Sequence, residues 1–125
     1  MDVEVISVST DTVFSHLMFK QTSPTVKDVK YPMASDPSGE VSRAYGVWQP
    51  ESGLNKRGRF IVNPEGTVMA VEVLTGPVGR SVDELIRQIK AMQAVADNPG
   101  MAAPAGWQPG DDMITTRIPQ DVGTY

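Results

Sequence analysis

Arg57-Gly58-Arg59-Phe60-Ile61-Val62-Asn63-Pro64-Glu65-Gly66-Thr67-Val68-Met69-Ala70-Val71-Glu72-Val73-Leu74 is the stretch that decides the fold. Two β-rich runs, Phe60 to Val62 and Thr67 to Leu74, flank Asn63-Pro64-Glu65-Gly66. Proline sets φ for a turn and glycine accepts positive φ, so Pro64 to Gly66 are expected to close a hairpin. In the second run Val68, Ala70, Glu72 and Leu74 alternate with Thr67, Met69, Val71 and Val73. Both sets are largely apolar, the pattern of a strand covered on most of both faces.

Downstream, Ser81-Val82-Asp83-Glu84 reads as a capping box, with acids placed favourably at a helix N-terminus. Val82, Leu85, Ile86, Ile89, Met92, Val95 and Ala96 then trace an apolar stripe to about Ala96, where Asn98-Pro99-Gly100 stops the helix. Residues 97–125 carry Pro99, Pro104, Pro109 and Pro119 without periodicity, which predicts an extended tail ordered only on another surface. Upstream, Val3 to Ser9 reads as a strand and Thr12 to Lys20 as a helix capped by the Thr10-Asp11-Thr12 side chains. Tyr31 to Ala34 reads as extended. Asp36-Pro37 starts a helix over roughly Ser38 to Ala44, and Gln49 to Lys56 forms a polar loop. The order β-α-(short β)-α-β-β-α fits an α/β sheet with helices packed on it. No Gly-x-Gly-x-x-Gly or Walker loop supports a nucleotide fold.

At 125 residues and 13.5 kDa the chain fits one domain with a modest core. A net charge of −4 gives no electrostatic reason for nucleic acid or anionic lipid as partner. No run is long and apolar enough to span a bilayer, and Met1-Asp2-Val3-Glu4 has acids where a signal peptide needs a basic region. A cytoplasmic protein is expected. There is no cysteine and one histidine, which excludes disulfides, Cys-ligated zinc, a histidine metal cluster and a thiol nucleophile from these residues. A serine triad would need His16 as base, and no Gly-x-Ser-x-Gly elbow accompanies it. No cofactor and no metal are therefore expected. His16 reads as a surface or boundary hydrogen-bonder and Asp11 as a cap. Met33, Met69, Met92 and Met101 read as core and contact filler, and Trp48 and Trp107 as interface anchors.

Several of these segments together resemble a known family. They are Val5-Ile6-Ser7-Val8-Ser9-Thr10-Asp11-Thr12 with His16, Tyr31-Pro32-Met33, Asp36-Pro37-Ser38-Gly39, Tyr45-Gly46-Val47, Arg57 to Gly66, and Asn98 to Trp107. In this order they resemble the peroxiredoxins, more closely the typical two-cysteine group that includes the alkyl hydroperoxide reductase C subunit. The resemblance implies a thioredoxin-like sheet with flanking helices, lacking its N-terminal strands. Residues 1–96 would form the partial domain and 97–125 the family's C-terminal tail.

It also implies reduction of hydroperoxides by a peroxidatic cysteine in a Pro-x-x-x-Thr-x-x-Cys segment, upstream of the strand at Val3. These 125 residues do not contain that segment. At the position matching the resolving cysteine, before Pro-Ala-x-Trp, stands Ala103. Arg57 matches the arginine that hydrogen-bonds the peroxide and stabilises the thiolate, a role suited to fixed planar donors. Trp107 falls in the region that packs on a partner subunit.

The absent strand would lie between Val3–Ser9 and Phe60–Val62. A chain without it is expected to close the gap, borrow a strand or fold poorly, since unpaired buried amides cost on the order of 1–3 kcal/mol each. Three readings follow. The chain is the C-terminal part of a peroxiredoxin, with a selenocysteine codon read as a stop placing the apparent start at Met1. Alternatively it is a non-catalytic relative that binds a peroxiredoxin subunit or a second copy of itself through hairpin and tail. Or it is a degenerate fragment. Hydroperoxide is a substrate only where the absent segment is supplied.

Overall fold

Strand β1 (Ser7–Ser9) pairs in parallel with β2 (Met33–Ser35), Ser7 opposite Met33 and Ser9 opposite Ser35. Helix α1 (Val13–Thr22) crosses between them. The computed structural model describes residues 1–116, in two compact units that part between Val78 and Gly79. The strand is shorter than the expected Val3 to Ser9, because β2 offers only three partners and Val3, Val5 and Ile6 stay exposed outside the ladder. Thr12, not Asp11, caps α1: its Oγ1 accepts the Ser15 N–H at 3.2 Å. The helix runs to Thr22, two residues past expectation, where the Ser23 N–H closes onto the Phe19 carbonyl at 2.9 Å.

The second helix, α2 (Glu40–Ala44), begins after Gly39, not at Ser38. Gly39 takes φ 70°, and a Cβ there would meet the Trp48 ring, so the position needs glycine on both counts. Asp36 still caps the helix, from further upstream: its carboxylate accepts the N–H of Val41 at 3.1 Å and of Ser42 at 2.8 Å. The segment expected as a loop contains a small antiparallel pair, β3 (Trp48–Gln49) and β4 (Leu54–Asn55). Trp48 is half-buried, with the Arg43 guanidinium 4.5 Å above its ring.

The hairpin forms as read. Strands β5 (Gly58–Val62) and β6 (Val68–Val73) are antiparallel, with Arg59 opposite Glu72 and Phe60 opposite Val71. Asn63 and Thr67 clasp its end: the Asn63 N–H reaches the Thr67 carbonyl at 2.9 Å, and the Thr67 N–H reaches Asn63 Oδ1 at 2.8 Å. Between them Gly66 closes the turn at φ 85°. Ile61 faces Ala70 while Val62 faces Val68, which leaves Met69 as the additional residue of a β-bulge.

Coverage of β6 is not as expected. Only Ala70 and Glu72 are half-buried, whereas Val68, Met69, Val71 and Val73 are exposed, Val71 by 58%. Among the described residues β5 is the only strand bonded to β6, and nothing else covers the side chains of its open side. An open cleft of about 290 Å³, lined by Ala44, Tyr45, Phe60, Val68 and Val71, lies along it. The α/β class holds, yet among the described residues hydrogen bonds join the strands two at a time, in four ladders. Strands β1 and β5 share none.

In the unit from Gly79 onward, α3 (Val82–Asp97) starts as read, with Ser81 Oγ accepting the Glu84 N–H at 3.1 Å. The following segment is not a bare extended tail. Strand β7 (Met101–Ala102) pairs antiparallel with β8 (Ile114–Thr115), and between them Trp107 is only 6% exposed. Its Nε1–H donates to the Asp111 carbonyl and its own carbonyl accepts from Arg87 Nη1, each at 3.0 Å. Trp107 is thus held within its own unit and is not a bare anchor for a partner. The rest of the expected tail, 117–125, lies outside the described residues.

Candidate functional site

Arg57 precedes β5 directly and is exposed, with no hydrogen bond or ion pair to any described residue. Two residues on, Arg59 is committed: its Nη2 meets Glu72 Oε2 across the hairpin at 2.8 Å. The two arginines of one short segment therefore differ in use. Arg59 braces the ladder, while the planar donors of Arg57 meet no acceptor among the described residues.

His16 is the second polar centre, and it is 9% exposed rather than at the surface. Its Nε2 lies 2.5 Å from Ser9 Oγ on β1, and its Nδ1 lies 3.3 Å from Ser35 Oγ on β2. Ser9 has a single hydroxyl hydrogen, which goes to Asp11 Oδ2 at 3.1 Å. The ring and the two serine hydroxyls thus belong to one hydrogen-bonded array that reaches Asp11. His16 engages serine hydroxyls with both ring nitrogens. It is a structural clasp, and Asp11 belongs to the same array instead of capping the helix.

Asp36 is the buried carboxylate of this unit, 4% exposed beside Ser42 at 3%. Burial alone would raise its pKa. The Ser42 N–H and hydroxyl, each at 2.8 Å, together with the Val41 N–H, outweigh burial and hold it below the usual carboxylate value. An ionised, fully engaged Asp36 is a helix anchor and not a general base.

Ala103 follows β7 in the other unit, half-buried, and a methyl group brings no chemistry there. Arg57 and Ala103 thus belong to separate units. One residue was missed in the sequence: Arg80, whose buried Nη1 has no hydrogen-bond partner among the described residues. The signal was its place immediately before the α3 cap, where the helix dipole disfavours a cation. Among the described residues no cluster of His, Cys, Asp or Glu could hold a metal, and no helix is long and apolar enough to cross a membrane.

Comparison with known proteins adds to this geometry. The profile of the AhpC/TSA family matches residues 1–71, and that of the C-terminal domain of 1-Cys peroxiredoxin matches residues 91–121. Alkyl hydroperoxide reductase C of Pseudomonas aeruginosa (strain UCBPP-PA14) is 43% identical over 115 residues, covering 92% of this chain and 62% of the relative. The selenocysteine-containing peroxiredoxin PrxU of Peptoclostridium acidaminophilum is 46% identical over 118 residues, covering 91% of this chain and 58% of the relative. Reduced 2-Cys peroxiredoxin of Plasmodium vivax superposes with a TM-score of 0.83 at 30% identity, over 90% of this chain and 58% of that one. For Enterococcus faecalis AhpC the TM-score is 0.76 at 38% identity, over 81% and 60%. The chain spans about three-fifths of the length of the relatives it matches.

Proposed function

The chain belongs to the AhpC/TSA family of peroxiredoxins, and from that premise we propose that it is the C-terminal part of a hydroperoxide reductase whose sulfur or selenium nucleophile lies outside these 125 residues. In this reading the chalcogenolate attacks one peroxide oxygen. A bond from sulfur or selenium to oxygen forms as the O–O bond breaks, and an alcohol or water leaves with a proton. Arg57 supplies planar donors that hold the peroxide and balance the charge developing on its oxygens. The observation that carries the reading is the Arg57 guanidinium at the head of β5, unpartnered among the described residues and inside the segment matched by the family profile. Ala103 leaves no resolving sulfur at the family position, so an external thiol or selenol would reduce the oxidised nucleophile. The likeness to PrxU favours selenium as a form to test.

The first measurement is the intact mass of the native gene product from its source cells. A mass well above 13.5 kDa supports the reading. A mass of 13.5 kDa refutes it and leaves the second reading, a non-catalytic subunit that pairs with a full-length peroxiredoxin or with itself. That second reading draws on the exposed valines of β6, and co-purification tests it. In the longer product, Arg57→Ala is expected to lower kcat/KM by on the order of 10²-fold, the size of loss for one preorganised charge-stabilising donor. Unchanged kinetics would remove Arg57 from the mechanism.

A further inference from the structure

Seven methionines stand in a chain without cysteine, so every sulfur in it is a thioether. They do not share one environment. Met33, Met92, Met101 and Met113 are half-buried, whereas Met18 is 59% and Met69 51% exposed, as is the terminal Met1 at 63%. The expectation that Met69 fills a core does not hold.

Met69 is set apart by its backbone. It is the bulge residue of β6, with Ala70 opposite Ile61 and Val68 opposite Val62, so no residue of β5 stands directly across from it. It is exposed in the interior of the strand and not at a frayed end. Around it on the same strand Val68, Val71 and Val73 are exposed as well, which makes β6 an apolar strand with an open edge.

We propose that Met69 is a site of sulfoxidation by hydroperoxides. The sulfur lone pair attacks one peroxide oxygen, and an S–O bond forms as the O–O bond breaks. Sulfur gives up two electrons, and the peroxide takes them and leaves, protonated, as an alcohol or water. Thioether and hydroperoxide become sulfoxide and alcohol, with no thiol, metal or further reductant in the balance. The event is stoichiometric and stops when the exposed thioethers are spent. It places a polar, chiral sulfoxide in the middle of the apolar β6 strand, which weakens that strand as a template for edge pairing. It stands independently of the peroxidase reading, since it needs neither Arg57 nor a nucleophile from elsewhere.

The test adds tert-butyl hydroperoxide in limiting steps to the purified 125-residue chain and follows oxygen incorporation peptide by peptide by mass. Met69 is expected to gain oxygen several-fold faster than Met33, Met92, Met101 and Met113, and at a rate close to that of Met1. Met69→Leu is expected to remove the signal from that peptide and leave the rates at the other methionines unchanged. A Met69 rate no higher than that of Met92 would overturn the proposal, as would uniform rates along the chain.

Discussion

The hairpin and the segment after α3 invert each other's appearance. The hairpin strand β6 is the most continuously apolar run in the chain, and four of its six residues are exposed. The segment from Asn98 to Thr116 is rich in proline and glycine, yet it buries Trp107 and pairs β7 with β8. Hydrophobicity states only what a side chain gains from cover, and cover comes from whatever else is within reach. The C-terminal segment carries its own cover: one indole, two hydrogen bonds that satisfy its polar groups, and a short ladder that closes the loop. Among the described residues the hairpin carries its turn, one partner strand and the edge-to-face contact of Tyr45 with Phe60 at 4.7 Å, which leave one side of β6 open.

The largest effect that would break this contrast is loss of the indole. Trp107→Ala is expected to cost about 3–5 kcal/mol, the range for emptying a buried aromatic site. The loss would show as faster amide exchange at the β7 and β8 bonds. If exchange there were unchanged, the segment would owe its order to its turns and not to burial. A second test concerns Asp36. Because its folded-state pKa lies below the ordinary value of 3.8, its contribution to stability is present above that value and fades as pH falls through the lower, folded one. Melting of the wild-type chain followed from about pH 5 to about pH 2 should drop in the lower part of that range, and Asp36→Asn should flatten the drop. A variant that kept the wild-type slope would move the acid sensitivity to other carboxylates. The smallest effect belongs to the hairpin surface. Val71→Thr is expected to change stability by no more than about 0.5 kcal/mol, as for an exposed site, in spite of its place in the most apolar strand. A loss above about 2 kcal/mol would mean that β6 is covered in solution.

What could be read in advance followed from local chemistry. The turn at Pro64 to Gly66, the Ser81 cap and the reach of α3 each depend on residues within four positions of one another, and each formed as read. The family was legible because its motifs run in order along the chain. The clasp at His16 was not, since its partners come from two strands, 7 and 19 residues away, and no periodicity encodes a meeting of that kind. The order of the C-terminal segment was missed for a similar reason: Arg87 reaches Trp107 across 20 residues. The pair β3 and β4 escaped notice because two-residue strands in a polar run carry no alternation. At the candidate site Arg57 was singled out by the family resemblance, whereas its lack of a partner among the described residues and the commitment of Arg59 to Glu72 appear only in the folded chain.

The parallel ladder of β1 and β2 spans three residues, so few backbone bonds fix its register. The imidazole that reaches from Ser9 to Ser35 crosses this ladder at its far end, as a diagonal strut crosses a short frame. The segment that enters β2 is therefore fastened to α1 as well as to β1. One side chain thus ties the helix to both strands of the pair.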